Sequence, residues 1–462
     1  EAAIKADWLP LKGRAVTIWP DHDEPGARYS HDAAEAALAA GAASVAVVKV
    51  PDHFPAKWDL ADALPKDMTQ EGLEALLAGA PKVERQPVVL FPPGFEMRGT
   101  GLYWKDPGKA DTLPLRLSGQ FEVLAEVRDP RGRGWGLLLR WQDRDGRLHE
   151  WAMPKGVLAS DGREICAELL DQGLDVSTGQ AQRGKFRTFL SSVQCDARAT
   201  AVKRTGWHAG AFVLPDQSFA LGDGEPIHFQ SDTADAGAYH CSGALAEWQA
   251  EIGRYAVGNS RLAFALSAAF APPLLDLISE ASGGLHVVGQ SQTGKTTILR
   301  AAGSVWGGGG VNGYIHSWRA TDNGLEGVAA LHCDALLCLD EMGQVDGGKA
   351  GEIAYMLANG SGKTRSGRTG TARAAAEWRL LFLSTGELTL ADKMAESGKR
   401  ARAGQSVRLA DIPADAGAGM GLFEELHGLA DPGALARHLK DAGAHYYGTP
   451  IRAFLSRLVT RS

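Results

Sequence analysis

One eight-residue turn restricts this chain more than any other feature. Gly289-Gln290-Ser291-Gln292-Thr293-Gly294-Lys295-Thr296 is an uninterrupted G-x-x-x-x-G-K-T. It follows the short apolar run Leu285-His286-Val287-Val288 and leads into a helical stretch from Thr297 to Ala302. A strand that enters a glycine turn and leaves as a helix belongs to an α/β fold with a parallel sheet. In that context the backbone N–H groups of the turn face an anion at a helix N-terminus, where the dipole favours negative charge. Lys295 is then expected to reach the outer phosphates of ATP and the Thr296 hydroxyl to bind Mg²⁺, with Gly289 to Thr297 forming the cradle.

The partner motif lies about 45 residues on. Ala335-Leu336-Leu337-Cys338-Leu339 is a continuous apolar run, as expected of a central strand buried on both faces. It ends in Asp340-Glu341. Asp340 is expected to hold Mg²⁺ directly or through water, and Glu341 to act as the base that polarises the attacking water. Leu380-Leu381-Phe382-Leu383 reads as a third buried strand, ending in Ser384-Thr385-Gly386-Glu387. In P-loop ATPases with an additional strand, a polar residue there lies between the two motifs and senses the γ-phosphate. Ser384 or Thr385 fits that position.

Net charge is −7, so no whole-surface positive field draws nucleic acid, and basic groups must act locally. One such group lies between the second and third strands. Residues 359–376 carry Lys363, Arg365, Arg368 and Arg373 among Gly, Ser and Thr, the composition of a loop or hairpin. In ring helicases of the superfamily-three and MCM-like type, a hairpin at this point grips DNA phosphates in the central channel. A solvated charged loop is the competing reading. A second cluster holds Lys399, Arg400, Arg402 and Arg408. An arginine beyond the sensor strand can act in trans on a neighbour's γ-phosphate, which implies a ring. Arg402 is the first choice, with Arg400 and Arg408 as alternates.

Upstream, Ala15 to Trp19, an alanine-rich helix over roughly 27–40 and Ser44 to Val50 read as a β-α-β unit. Asp21 and Asp23 follow its first strand, where a D-x-D can hold a divalent metal, joined by Asp59 and Asp62. Prolines 81, 87, 92 and 93 mark a linker. The next stretch is rich in hairpins, with a turn at Asp143-Arg144-Asp145-Gly146. The expected division is 1–80, linker 81–95, a β-rich domain 96–245, and a P-loop domain 246–462 with a C-terminal helical lid over the nucleotide.

Five cysteines without a C-x-x-C pair read as free thiols in a reducing cytoplasm. The longest apolar tract, Leu262 to Ile278, is broken by Pro272-Pro273 and carries Asp276, so no membrane span is expected. The chain starts at Glu1 rather than Met, and the expectation is a fragment at that end.

Trp19-Pro20-Asp21-His22-Asp23-Glu24-Pro25-Gly26 resembles the second acidic motif of Toprim domains in plasmid and phage primases; the glutamate of that family's first motif has no counterpart. From about 90 to 462 the chain is similar to the "domain of unknown function 927" family. The resemblance rests on Thr205-Gly206-Trp207-His208, Phe212 to Asp216, both nucleotide motifs, Asn359-Gly360 with Gly362-Lys363, Ser384 to Glu387, Arg402 to Gln405 with Val407-Arg408, and Phe423-Glu424 with Leu426 to Gly428. It implies a P-loop ATPase of the AAA+, superfamily-three or MCM-like type, behind a β-rich domain and a partial Toprim-like unit. The implied activity is Mg²⁺- and ATP-dependent DNA translocation or unwinding by a ring, hexameric by expectation. The implied setting is the replication of a plasmid or prophage, with single-stranded or forked DNA and replication proteins of the same element as partners. A nucleotide-switched loader that remodels a protein without unwinding DNA is the alternative.

Overall fold

Five short strands in the second half of the chain pair into one sheet, and every pairing is parallel. The computed structural model describes residues 6–66, 68–83, 87–109, 111–221, 224–230, 238–310, 313–319, 322–362, 365–366, 372–373, 375–399 and 408–460. The strand order is Ile315–Ser317, Leu336–Asp340, Leu381–Gly386, Gly283–Val288, Leu409–Pro413. A third strand thus lies between the one that enters the glycine turn and the one that ends in two acids.

Alternation along these strands divides the interior. Leu336, Cys338 and Leu383 face one core, together with Ile298 and Leu299 of the helix that follows the turn, Lys295–Ser304. Leu337, Leu339 and Phe382 face the other, against Ile353 and Leu357 of helix Gly347–Asn359. Successive side chains of a strand point to opposite faces, so a strand covered on both sides must be apolar throughout, as Leu336 to Leu339 is.

The middle region has its own core. Strands Glu122–Arg128, Gly136–Gln142 and Leu148–Pro154 form an antiparallel meander, and the Asp143–Gly146 turn joins its last two strands. Arg198–Val202 adds in parallel to Glu122–Arg128, and Ile227–Phe229 adds in parallel to Arg198–Val202. Helices Arg163–Asp171 and Gln180–Ser192 cover this sheet through Ile165, Leu169, Phe186 and Phe189. Near the N-terminus, Ala15–Ile18 and Ser44–Val47 pair in parallel around helix Glu24–Ala39.

Residues 204–219 leave the middle sheet and join the core of the parallel sheet, before Ile227–Phe229 returns to the middle sheet. Trp207, Phe212, Leu214 and Phe219 pack with Trp306 and Leu336, so a division at 245 cuts through a shared interior. The crossing is keyed by polar groups. Thr205 Oγ1 donates to Leu331 O (2.7 Å), and the Trp207 N–H donates to Asp334 Oδ2 (2.9 Å). Arg379 Nε donates to Asp334 Oδ1 at 2.7 Å, and the Asp334 N–H bonds to Arg379 O. Gly206 is at φ +89°, and a side chain there would meet the Asp334 carboxylate at 2.4 Å.

The C-terminal stretch folds as two helices, Pro432–His445 and Thr449–Val459. The first packs against the helix that begins at Lys295, and the second braces the far end of that helix, where Gly448 N bonds to Ser304 O and Ile451 N to Val305 O. That end is about 15 Å from the turn at 1.5 Å per residue. The turn is backed by residues 414–422: Leu422 N bonds to Thr293 O at 3.1 Å, and a side chain on Gly294 (φ +94°) would strike Leu422 at 2.2 Å. Among the described residues no helix is long and apolar enough to cross a membrane, and all five cysteines are free.

Asp334 is fully buried, and its carboxylate accepts from a backbone N–H and a guanidinium. Asp334→Ala removes both bonds and leaves Arg379 without that partner. We expect a loss of about 3 kcal/mol in urea unfolding. A loss under about 0.5 kcal/mol contradicts this account of the crossing.

Candidate nucleotide site

Parallel strands end on one side of their sheet, and ligands of such sheets bind outside those carboxyl ends. Here the ends of the three central strands bring the two motifs and the sensor strand together. Val288 is in register with Gly386, and Leu339 with Ser384. The Gly289 N–H donates to Gly386 O at 3.2 Å, tying the turn to the middle strand. Within the turn, Thr293 Oγ1 donates to Gln290 O (2.9 Å). Gln292 has φ +65°, and Ser291 beside it is exposed.

Lys295 is only 8% exposed. Its ammonium reaches back into the turn and donates to Gly289 O (2.8 Å) and Gln290 O (2.7 Å). The Thr296 hydroxyl lies 3.4 Å from both carboxylate oxygens of Asp340. On the opposite side, Thr385 Oγ1 donates to Asp340 Oδ1 at 2.6 Å and accepts from the Glu341 N–H at 3.2 Å. Glu341 has φ +57°, a left-handed conformation that strains a glutamate, and its Oε1 accepts from Gly343 N at 3.1 Å. Non-glycine residues held at positive φ concentrate at functional sites, and two of them, Gln292 and Glu341, flank this cleft.

These residues fit a magnesium–nucleoside triphosphate. Neighbouring oxygen ligands of Mg²⁺ at about 2.1 Å lie roughly 3 Å apart, close to the spacing of Thr296 and Asp340. The backbone N–H groups at the start of the helix and the Lys295 ammonium would supply the phosphate donors. When bound, Mg²⁺ would neutralise charge on the phosphate oxygens. In that event Lys295 would bind and orient the phosphates, and the Glu341 carboxylate would be the group to accept a proton from water.

Of the two sensor candidates, the geometry brings only Thr385 into the cleft. Ser384 faces away because adjacent strand residues point to opposite faces. It is fully buried, receives a bond from Trp318 Nε1 (2.9 Å) and donates to His286 Nδ1 (2.9 Å). His286 Nε2 donates to Leu388 O (2.9 Å), which fixes the tautomer, and burial pushes the His286 pKa below its ordinary value. This chain is a buried brace rather than a sensor.

Arg408 precedes strand Leu409–Pro413, at the end of the sheet remote from the turn, and stacks on Tyr355 with 4.6 Å from guanidinium to ring centroid. Arg400 and Arg402 lie outside the described residues; Lys399 Nζ is 3.6 Å from Glu352. In the basic segment, Arg365–Ser366 pairs antiparallel with Ala372–Arg373, while Lys363 and Arg368 lie outside the described residues. The base of that hairpin is closed by Gly362 N to Ala376 O (2.8 Å) and Trp378 N to Gly360 O (2.9 Å).

Asp23 caps helix Glu24–Ala39 by accepting from Gly26 N at 2.7 Å. Asp21 O accepts from the Asp23 N–H at 2.8 Å. Asp59 and Asp62 close their own turn, accepting from Ala61 N (2.6 Å) and Asp59 N (3.2 Å). The His22 N–H donates to Trp58 O, so the two acidic turns are neighbours. Among the described residues no group of three or more His, Cys, Asp or Glu is arranged to hold a metal.

Sequence reasoning missed the Asp334–Arg379 lock and the Trp318–Ser384–His286 brace. The acid heading the apolar run 335–339 was the available signal for the first. The second joins residues up to 98 positions apart and left none.

The protein-family model described as Domain of unknown function (DUF927) matches residues 95–377. The chain belongs to this family. Among solved structures it is similar to one titled "SCCmec type IV Cch - active helicase", at 18% identity with a TM-score of 0.60. The match covers 80% of this chain and 65% of that one, so the family member described here spans under two thirds of its neighbour's length. At that identity the likeness is one of fold. The apo structure of the NrS-1 C-terminal region also matches, at 8% identity over 73% of this chain and 72% of that one, but its TM-score of 0.32 carries no argument. No curated protein matches the sequence.

Ser384→Ala leaves the Trp318 N–H and the His286 Nδ1 without their buried partner. The expected effect is a loss of about 2 kcal/mol in denaturant unfolding. A variant as stable as wild type would remove the brace from the account.

Proposed function

We propose that this chain is an ATP-dependent DNA translocase or helicase, acting as a homo-oligomeric, by preference hexameric, ring. In this reading it is the motor part of a mobile-element primase–helicase. The observation that carries the proposal is the convergence of Lys295, Thr296, Asp340 and Thr385 on one cleft, within hydrogen-bond range of one another or of the turn.

In the proposed reaction Thr296 and Asp340 hold Mg²⁺, Lys295 binds the outer phosphates, Glu341 takes the proton of the attacking water, and Thr385 orients Asp340 and Glu341. The strand order, with a sensor strand between the two motif strands, supports the AAA+, superfamily-three or MCM-like assignment. An arginine from the 399–408 cluster, Arg402 before Arg400 or Arg408, would reach a neighbour's γ-phosphate. Arg408, stacked on its own Tyr355, is the least available of the three. Hairpin 359–376 would grip DNA phosphates through Lys363, Arg365, Arg368 and Arg373, and the fold likeness to a structure titled as a helicase supports a DNA substrate. The β-rich part would serve as a collar, and the Toprim-like unit contributes no step.

ATP hydrolysis measured with and without single-stranded DNA tests this reading. Wild type should hydrolyse ATP and be stimulated by DNA, and Lys295→Ala should lower turnover at least about 100-fold. Replacing all four basic residues of the hairpin should abolish the stimulation and make the salt dependence of binding shallower by about three units of slope. Turnover that ignores DNA in the wild type points instead to a nucleotide-switched loader.

A further inference from the structure

The turn between strands Glu122–Arg128 and Gly136–Gln142 reads Asp129-Pro130-Arg131-Gly132-Arg133-Gly134-Trp135. Asp129 organises it: Oδ1 accepts from the Arg131 and Arg133 N–H groups at 2.9 and 2.8 Å. With the carboxylate committed to the backbone, both guanidinium groups stand exposed at the tip. Trp135 is 43% exposed, unlike most large aromatics of this region, which are buried. Arg128 and Arg198 flank its ring, each with its guanidinium carbon 6.0 Å from the ring centroid.

The acids nearby are Glu225, which pairs with Arg128 (2.7 Å), and Glu126, which pairs with Arg198 (3.1 Å) and Lys155 (2.8 Å). These pairs hold the two flanking arginines in place beside the indole. Cations still outnumber acids five to three, counting Arg128, Arg131, Arg133, Lys155 and Arg198 against Glu126, Asp129 and Glu225. The direction of the tip follows from topology. Strands Glu122–Arg128 and Arg198–Val202 are parallel, so the turn after Arg128 leaves the sheet at the same end as residues 203–207. That is the end where Thr205 and Trp207 lock onto the motor.

We propose that Trp135, with Arg131 and Arg133, is a second contact for single-stranded DNA, one unpaired base stacking on the indole while the arginines bind flanking phosphates. An exposed aromatic among arginines is how proteins bind single strands without reading sequence, because every base has a π-face. In a duplex those faces are already stacked on one another, so the same surface discriminates against paired DNA. The proposal rests on the motor being a DNA translocase and adds the point at which a strand meets it outside the hairpin.

Fluorescence anisotropy of a labelled oligo-dT, titrated with the full chain over a salt series, tests it. Trp135→Ala should bind about tenfold more weakly or worse with an unchanged salt slope, and Trp135→Phe should recover most of the loss. Arg131→Ala/Arg133→Ala should make the slope shallower by about 1.4. Thermal melting by circular dichroism should be the same for all variants, since these side chains are exposed. Variants that all bind as wild type overturn the contact and leave the motor reading standing. Equal loss in Trp135→Ala and Trp135→Phe overturns stacking, and so does equal affinity for a matched duplex. A wild-type chain that binds no oligo-dT overturns both this contact and the translocase reading.

Discussion

The Asp340 carboxylate is the point on which the parallel-sheet half of the chain is organised. It lies between two hydroxyls, Thr296 at 3.4 Å and Thr385 at 2.6 Å, which belong to the helix after the glycine turn and to the strand beside it. Strand Leu381–Gly386 runs between the other two, in parallel and in register, and so brings the Thr385 hydroxyl to Asp340. Register therefore sets which side chain meets the carboxylate. An antiparallel insertion, or a slip of one residue, would turn Thr385 into the core and Ser384 into the cleft.

Strand Leu336–Asp340, which ends in that carboxylate, is preceded by a second acid at its other end. Asp334 is buried and joins Trp207 of the crossing segment to Arg379, which follows the base of the basic hairpin. Asp334 lies six positions before Asp340, about 20 Å of extended chain. One rigid apolar strand thus has the candidate nucleotide cleft at its end and, at its start, the junction of middle sheet, hairpin base and parallel sheet. Its rigidity comes from packing on both faces: Leu336 and Cys338 on one side, Leu337 and Leu339 on the other.

Much of this was legible from the residues because local chemistry dictated it. A glycine turn between strand and helix, and an unbroken apolar run ending in two acids, each encode their structure within about ten positions. What could not be read depends on pairing between distant segments. Ser384 and Thr385 are adjacent and both polar, and only strand register decides which one faces Asp340. Where the β-rich region gives way to the parallel-sheet core was not legible: Gly206-Trp207 resembles a strand of that region, yet the Trp207 side chain joins the core that holds Trp306 and Leu336. The place of the C-terminal helices was not legible either, since an amphipathic helix does not state which part of its neighbour it will cover.

The central claim is that one cleft binds Mg–ATP and that Glu341 activates the water. Measuring ATP affinity and turnover on the same preparation of Glu341→Gln separates these two functions. The account predicts affinity within a few-fold of wild type and turnover reduced by about 100-fold or more. Wild-type turnover in that variant, or no magnesium-dependent ATP binding in the unaltered chain, would contradict it.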